Sequence, residues 1–454
     1  MRQFKILGVA MAAALLVAAC GGGGGDGNQA SAVKFTSMVS FGDSLSDVGT
    51  YKVGAVAAMG GGTYTVNGIT GAIGAEPTPS KNWTELVASQ LRLPAPCPAQ
   101  TGLNSAAALG GPVAVVNYPA CNNYAQGGAR VTDPVGPGSA SAPVNSPLGQ
   151  LTVPIITQIS THLTKVGGSF SGTELVTVMA GGNDVLELLD QLKANATAAG
   201  TTAFGNTLVG GLVALVPNPA NQPAAMLAIG TALQTAAAVP GATTTDIVTA
   251  AVTAASGQPG VTLPINSTPI VTAATAAANK AGADYATTNG PKAVADMAKA
   301  GGELAAYVKT LIIGKGAKYV AVVNLPDVSL TPSSKAQSVE TQALISNMVV
   351  YFNTQLQNGL TGVAGVTVVD AYADNRNQIA NPASYALTNI TTPACNLTKP
   401  SPNALGSSLV CNTTNVIAGD TSHYLFADTV HPTPYGYKLL AQLVTKSMVL
   451  AGWL

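Results

Sequence analysis

The 454-residue chain is only 9% charged and balances Lys+Arg 20 against Asp+Glu 20, where an ordinary soluble domain is about 25% charged. It has no basic run that would neutralise a phosphate backbone and no acidic tail, which argues against a nucleic-acid partner. The length is ample for a large core, and by a soft prior for about two or three domains.

Arg2 and Lys5 stand beside an apolar run from Ile6 to Ala19. That run is too short to span a bilayer and reads as a signal peptide over residues 1–19. It ends in Val17-Ala18-Ala19-Cys20, which resembles a bacterial lipobox. The resemblance implies lipidation of Cys20, a Gly-rich tether over residues 20–32, and anchoring in the cell envelope as an outer-membrane lipoprotein. The outer membrane follows from Gly21, rather than aspartate, after the cysteine. Ordinary cleavage, for instance after Ala30-Ser31-Ala32, with secretion is the alternative. Cys97, Cys121, Cys395 and Cys411 then remain, an even number that suggests two disulfides with three possible connectivities. The local pairs Cys97–Cys121 and Cys395–Cys411, each stapling one loop, are preferred. No CxxC and no Cys/His cluster occurs, so a structural zinc site is not expected.

In chain order, a strand is expected from about Val33 to Phe41, running into Gly42. Residues 82–92 read as a helix with Trp83, Leu86, Val87 and Leu91 on one face. A Gly- and Pro-punctuated stretch, about 94–150, reads mostly as loop. A helix over 150–165, a strand over 174–179, a strand over 318–324, a helix over 334–360, a strand over 366–370 and a helix over 434–450 follow. This alternation predicts an α/β fold with a parallel sheet, whose functional groups gather beyond the carboxyl ends of the strands. Between about 190 and 290 the chain becomes Ala/Thr-rich, and this region reads as a helical insertion in one domain spanning 33–454.

Ser44 and Asn183 each follow a predicted strand directly. The chain has three histidines, His162, His423 and His431, so a base for a serine nucleophile must come from these. His162 falls within a predicted helix, as a surface or otherwise satisfied histidine. His423 has only Asp420 at a useful offset. His431 lies three residues after Asp428, a spacing that lets the carboxylate fold back onto Nδ1–H and leaves Nε2 free to take a proton from serine. Gly128, in NYAQGGA, offers a backbone N–H that no side chain obstructs. Asn183, in GGND, offers a side-chain amide on a strand-end turn.

GDSLSD at 42–47, NYAQGGA at 123–129, GGND at 181–184 and DTVHP at 428–432 occur in the order of the GDSL, or SGNH, hydrolase family, which the chain resembles from about residue 36 onward. The resemblance implies a three-layer αβα sandwich with a parallel, flavodoxin-like sheet. It makes Ser44 the nucleophile, His431 the general base and Asp428 the acid that orients it. The oxyanion hole falls to the Ser44 N–H, the Gly128 N–H and the Asn183 amide, and Asp43 to a structural role. The implied protein is a monomeric, cofactor-free serine esterase or lipase acting on acyl esters or lipids. A lipid acyltransferase or sugar-ester deacetylase of the same fold is the alternative, and a non-catalytic surface-binding lipoprotein a third reading.

Overall fold

The computed structural model describes residues 32–454. The expected signal peptide, Cys20 and residues 20–31 of the tether lie outside these. Strand β1 (Met38–Gly42) leads into helices α1 (Gly54–Ala58) and α2 (Trp83–Gln90). An antiparallel hairpin, β2 (Gln100–Leu103) and β3 (Val113–Asn117), follows. Then come α3 (Ile155–Lys165), β4 (Leu175–Met179) and α4 (Gly182–Val213). Helices α5 (Gln222–Ala237), α6 (Thr244–Ser256) and α7 (Thr268–Tyr307) complete a helical run. The chain closes with β5 (Tyr319–Val323), α8 (Pro332–Lys335), α9 (Val339–Leu360), β6 (Val366–Val369), α10 (Ala371–Ala380) and α11 (Pro434–Leu450).

Strands β1, β4, β5 and β6 form a four-stranded, all-parallel sheet in that order. On the free side of β1 the chain runs alongside without forming a full strand. Ser40 N–H donates to Asn122 O (3.0 Å), Tyr124 N–H to Ser40 O (2.8 Å) and Gln126 N–H to Gly42 O (3.1 Å). Counting this segment as the second strand gives the flavodoxin-like order 2-1-3-4-5.

Side chains alternate across the sheet with period two. Leu175, Met179, Ala321 and Val323 face α2 and α11, meeting Trp83, Leu86, Tyr437, Val444 and Met448. Val176, Val178, Val320 and Val322 face α3, α7 and α9, meeting Ile159, Met297, Leu304, Met348 and Phe352. The sheet is therefore covered on both faces, as an α/β sandwich requires. Asn82 closes α2 with a capping box, its side chain accepting from Thr84 and Glu85 N–H while Glu85 accepts from Asn82 N–H.

Three boundaries differ from the sequence reading. The first strand starts at Met38, because Val33 and Thr36 spend their N–H groups on Trp453 O and Thr173 O instead. The stretch 94–150 contains the β2–β3 hairpin, whose two short strands carry Gly102, are flanked by Pro98, Pro112 and Pro119, and leave Val115 and Val116 exposed. The helical region is wider than 190–290: α4 starts at Gly182 and α7 ends at Tyr307. Alanine has the best helix propensity. The threonines satisfy their hydroxyls internally, Thr197 on Lys193 O, Thr201 on Thr197 O and Thr272 on Thr268 O. Leu208, Leu212, Ile229, Ala251, Ala255 and Ala274 give these helices a core of their own.

Disulfides join Cys97 to Cys121 and Cys395 to Cys411.

Candidate active site

Strand β1 ends at Gly42, and the chain turns at once. Ser46 N–H donates to Asp43 O and Leu45 N–H to Asp43 Oδ1, both at 3.0 Å. This turn lifts Ser44 out of the sheet at its carboxyl end. Gly42 is required there, since a Cβ would lie 2.9 Å from Ser46 Cβ and 3.0 Å from Met179 O. Trp83 Nε1–H fixes Ser46 from beneath (3.2 Å).

The second contribution comes from the far end of the chain. His431 Nε2 lies 2.9 Å from Ser44 Oγ, and His431 Nδ1 lies 2.8 Å from Asp428 Oδ2. With Nδ1 protonated and donating to the carboxylate, Nε2 carries the lone pair that can accept the serine proton. Asp428 is buried and accepts three further N–H bonds, from Ser408 (2.8 Å), Val430 (2.9 Å) and His431 (2.8 Å). Burial alone would push its carboxyl up, but the neighbouring His431 and these hydrogen bonds reverse the shift and hold it well below the usual carboxylate range. The Tyr64 ring lies against the imidazole, centroids 4.7 Å apart.

The third contribution is a set of donors. Among the described residues no group accepts from the N–H of Ser44 or of Gly128. Asn183 Nδ2 gives one hydrogen to Ala129 O (2.8 Å) and keeps the other. These three groups line one cleft of about 660 Å³ together with His431. The loop that carries Gly128 is held from two sides. Asp47 Oδ2 accepts Gly127 N–H (3.0 Å), while its Oδ1 accepts from Gly49 and Thr50 (2.8 Å each). Asp184 accepts from Val131 N–H (3.1 Å) and pairs with Arg130 Nε (3.2 Å). Gly128 adopts φ +80°, and a Cβ there would lie 2.2 Å from Pro137 O, so only glycine fits.

Asn183 sits in the first turn of α4 and not in a free strand-end turn. Gly181, at φ +117°, makes the sharp entry, and a Cβ on it would strike the Phe352 ring at 2.6 Å. The buried acids beside the site hold their protons unusually well. Burial outweighs the surrounding donors and raises Asp43 to about 7 and Asp47 to about 6. It also raises Asp184 to about 6, against the pull of Arg130.

Of the other histidines, His162 is a core residue, packed between Phe41, Tyr124 and Phe170 with Nδ1 3.2 Å from Tyr124 Oη. His423 stacks edge-on against Tyr435. Among the described residues no group of three or more His, Cys, Asp or Glu is placed to hold a metal ion. Sequence reasoning gave no role to Asp47, Tyr64 or Ser408. Asp47 stands inside the GDSLSD run; Tyr64 and Ser408 carry no local signal.

Residues 275–444 match the family model of the GDSL-like lipase/acylhydrolases. Over that stretch the chain is similar to the family. The matched stretch contains Asp428 and His431, while Ser44, Gly128 and Asn183 precede it. No curated protein matches the chain. Proteins of that family act on ester bonds, and the cleft just described is where this chain brings together a serine, a histidine, two unpaired backbone N–H groups and the Asn183 amide. Its two disulfides suit an oxidising compartment and suggest an extracellular or cell-envelope protein. Among the described residues no helix is long and apolar enough to cross a membrane.

Proposed function

We propose that this GDSL-like hydrolase is a serine esterase or lipase that cleaves carboxylic esters through an acyl-enzyme on Ser44. The observation that carries the reading is the unbroken chain Ser44 Oγ, His431 Nε2, His431 Nδ1, Asp428, with contacts of 2.9 and 2.8 Å. His431 takes the Ser44 proton as Oγ attacks the ester carbonyl. The carbonyl oxygen becomes an oxyanion, facing the N–H groups of Ser44 and Gly128 and the free amide hydrogen of Asn183. Losing one such donor typically costs on the order of 10²–10³ in rate. His431 then gives its proton to the departing alcohol. Water, deprotonated in turn by His431, releases the acid and restores Ser44. An acyltransferase would differ only in using an acceptor alcohol at that last step.

The test is hydrolysis of p-nitrophenyl butyrate by wild type and Ser44→Ala, alongside inactivation by phenylmethylsulfonyl fluoride. Wild type should turn over, acquire one sulfonyl group on the peptide holding Ser44, and lose both properties in the variant. Activity surviving in a folded Ser44→Ala protein would remove Ser44 from the nucleophile's place.

By the lipobox at Val17-Ala18-Ala19-Cys20, the protein is further proposed to be tethered to the bacterial envelope through lipidated Cys20.

A further inference from the structure

A second cavity, of about 1610 Å³, opens between α4, α7 and α9. It meets the catalytic cleft: Pro137, Leu186 and Val328 line both. We propose that this groove is the acyl-chain site of the enzyme and that its natural esters carry long, uncharged acyl chains. The inference rests on the serine-esterase reading and adds the substrate class.

Helix periodicity supports this assignment. Residues three or four apart share a helix face. Asn183, whose amide faces the cleft, is followed on its own face by Leu186, Leu189 or Asp190, Lys193, Ala196 or Thr197, and Gly200, and all of these after Asn183 line the groove. An ester carbonyl held at Asn183 therefore has an open channel running along α4. From Leu186 to Gly200 the helix rises about 21 Å at 1.5 Å per residue, room for an extended fatty chain. The near part of the channel is apolar, with Leu186 and Leu189 on α4, Val294 on α7 and Leu344 on α9. At the far end α4 and α7 close on each other, where a Cβ on Gly200 would lie 3.0 Å from Ala278 O. The charged residues lining the groove are Asp190, Lys193 and Glu340. One cation between two acids is no receptor for an anionic chain, so a neutral chain fits. Burying one methylene is worth about fourfold in an equilibrium, and each one seated in the groove should raise kcat/KM by up to that factor.

Thr287 on α7 and Ala343 on α9 line the groove from two walls and are exposed, so a tryptophan at either narrows it without entering the core. The experiment compares kcat/KM on p-nitrophenyl butyrate and p-nitrophenyl decanoate for wild type, Thr287→Trp and Ala343→Trp. Wild type should prefer decanoate. Each variant should lose about tenfold or more on decanoate, equivalent to two or more displaced methylenes, and stay within about twofold on butyrate. A wild-type preference for butyrate, or variants that leave decanoate hydrolysis unchanged, would overturn the acyl-groove assignment alone. No Ser44-dependent hydrolysis of either ester would instead overturn the esterase reading beneath it.

Discussion

Asp428→Asn separates orientation from packing at the active site, because the structure fixes which way the new amide must turn. The carboxylate accepts from four N–H groups: Val430 and His431 backbone on Oδ1, Ser408 backbone on Oδ2, and His431 Nδ1 mainly on Oδ2 (2.8 Å) with a longer contact to Oδ1 (3.0 Å). Asparagine has one oxygen and one NH₂ to set against them. With its oxygen at the Oδ1 place it keeps both loop bonds, and NH₂ faces Ser408 N–H and His431 Nδ1. The reverse rotamer loses two backbone partners and is worse. In the better rotamer one buried N–H is left unpartnered, which costs about 1–3 kcal/mol. The NH₂ also donates to Nδ1, so the imidazole proton moves to Nε2, the atom 2.9 Å from Ser44 Oγ, and no lone pair remains to accept the serine proton. The wrong tautomer of a triad histidine lowers kcat by about 10⁴. The assay is p-nitrophenyl butyrate turnover beside urea unfolding followed by circular dichroism. The expected result is a folded protein destabilised by about 1–3 kcal/mol with kcat down by about four decades. A folded variant retaining activity within about tenfold of wild type would refute the orienting role of Asp428.

Gly128→Ala should lower kcat by about 10²–10³ with little change in KM, since a Cβ 2.2 Å from Pro137 O and 2.6 Å from Thr152 Cγ2 forces the loop to move its N–H; steady-state kinetics with a melting curve checks this, and near-wild-type kcat would remove Gly128 from the oxyanion site. His162 is 3% exposed and burial pushes it down to about 4. The folded state thus resists a proton that the unfolded chain accepts near 6.5, and stability is full above that pH and falls as pH drops toward 4. The loss is on the order of 3 kcal/mol, and it should be present in wild type and absent from His162→Phe in urea titrations at pH 7.5 and 4; an equal acid loss in both proteins would place it elsewhere. Asp43, raised to about 7, works in the opposite sense: its contribution is full below its ordinary pKa and is lost as pH rises through about 7. Cys20→Ser should move the protein from the membrane fraction to the soluble envelope fraction; continued co-sedimentation with membranes would dismiss the lipid anchor.

The sheet was legible because β1, β4 and β5 are buried on both faces. LVTVM and YVAVV read as continuous apolar runs for that reason. The strand-to-turn junction at Ser44 and the short Asp428–His431 spacing are local, and local geometry can be read from adjacent letters. Contacts that join distant segments left no such trace. Asp47 holds Gly127 across 80 residues of chain, and Ser408 N–H reaches Asp428 across 20. Nothing near Ser408 in sequence announces an acceptor. Composition also misplaced the ends of the insertion. Ala/Thr enrichment begins near residue 190, but the helix that carries it begins at Gly182, where Gly181 supplies the left-handed entry and Asn183 already serves the site.

That last displacement changes how the insertion relates to catalysis. Helix α4 is one continuous element from Gly182 to Val213, so the amide of Asn183 and the groove wall beyond Leu186 move as one body. Asp184 and Arg130 tie its first turn to the loop bearing Gly128, and Asn183 ties it again through Ala129 O. The distal half of α4 is thus continuous with contacts to two of the three donors proposed to face the oxyanion. Binding energy from remote parts of a substrate raises kcat only when it is realised in the transition state, and a helix shared between chain-binding wall and oxyanion donor provides a physical route for that. On this architecture a longer acyl chain should improve kcat as well as KM, whereas a groove built on an independent lid would improve KM alone.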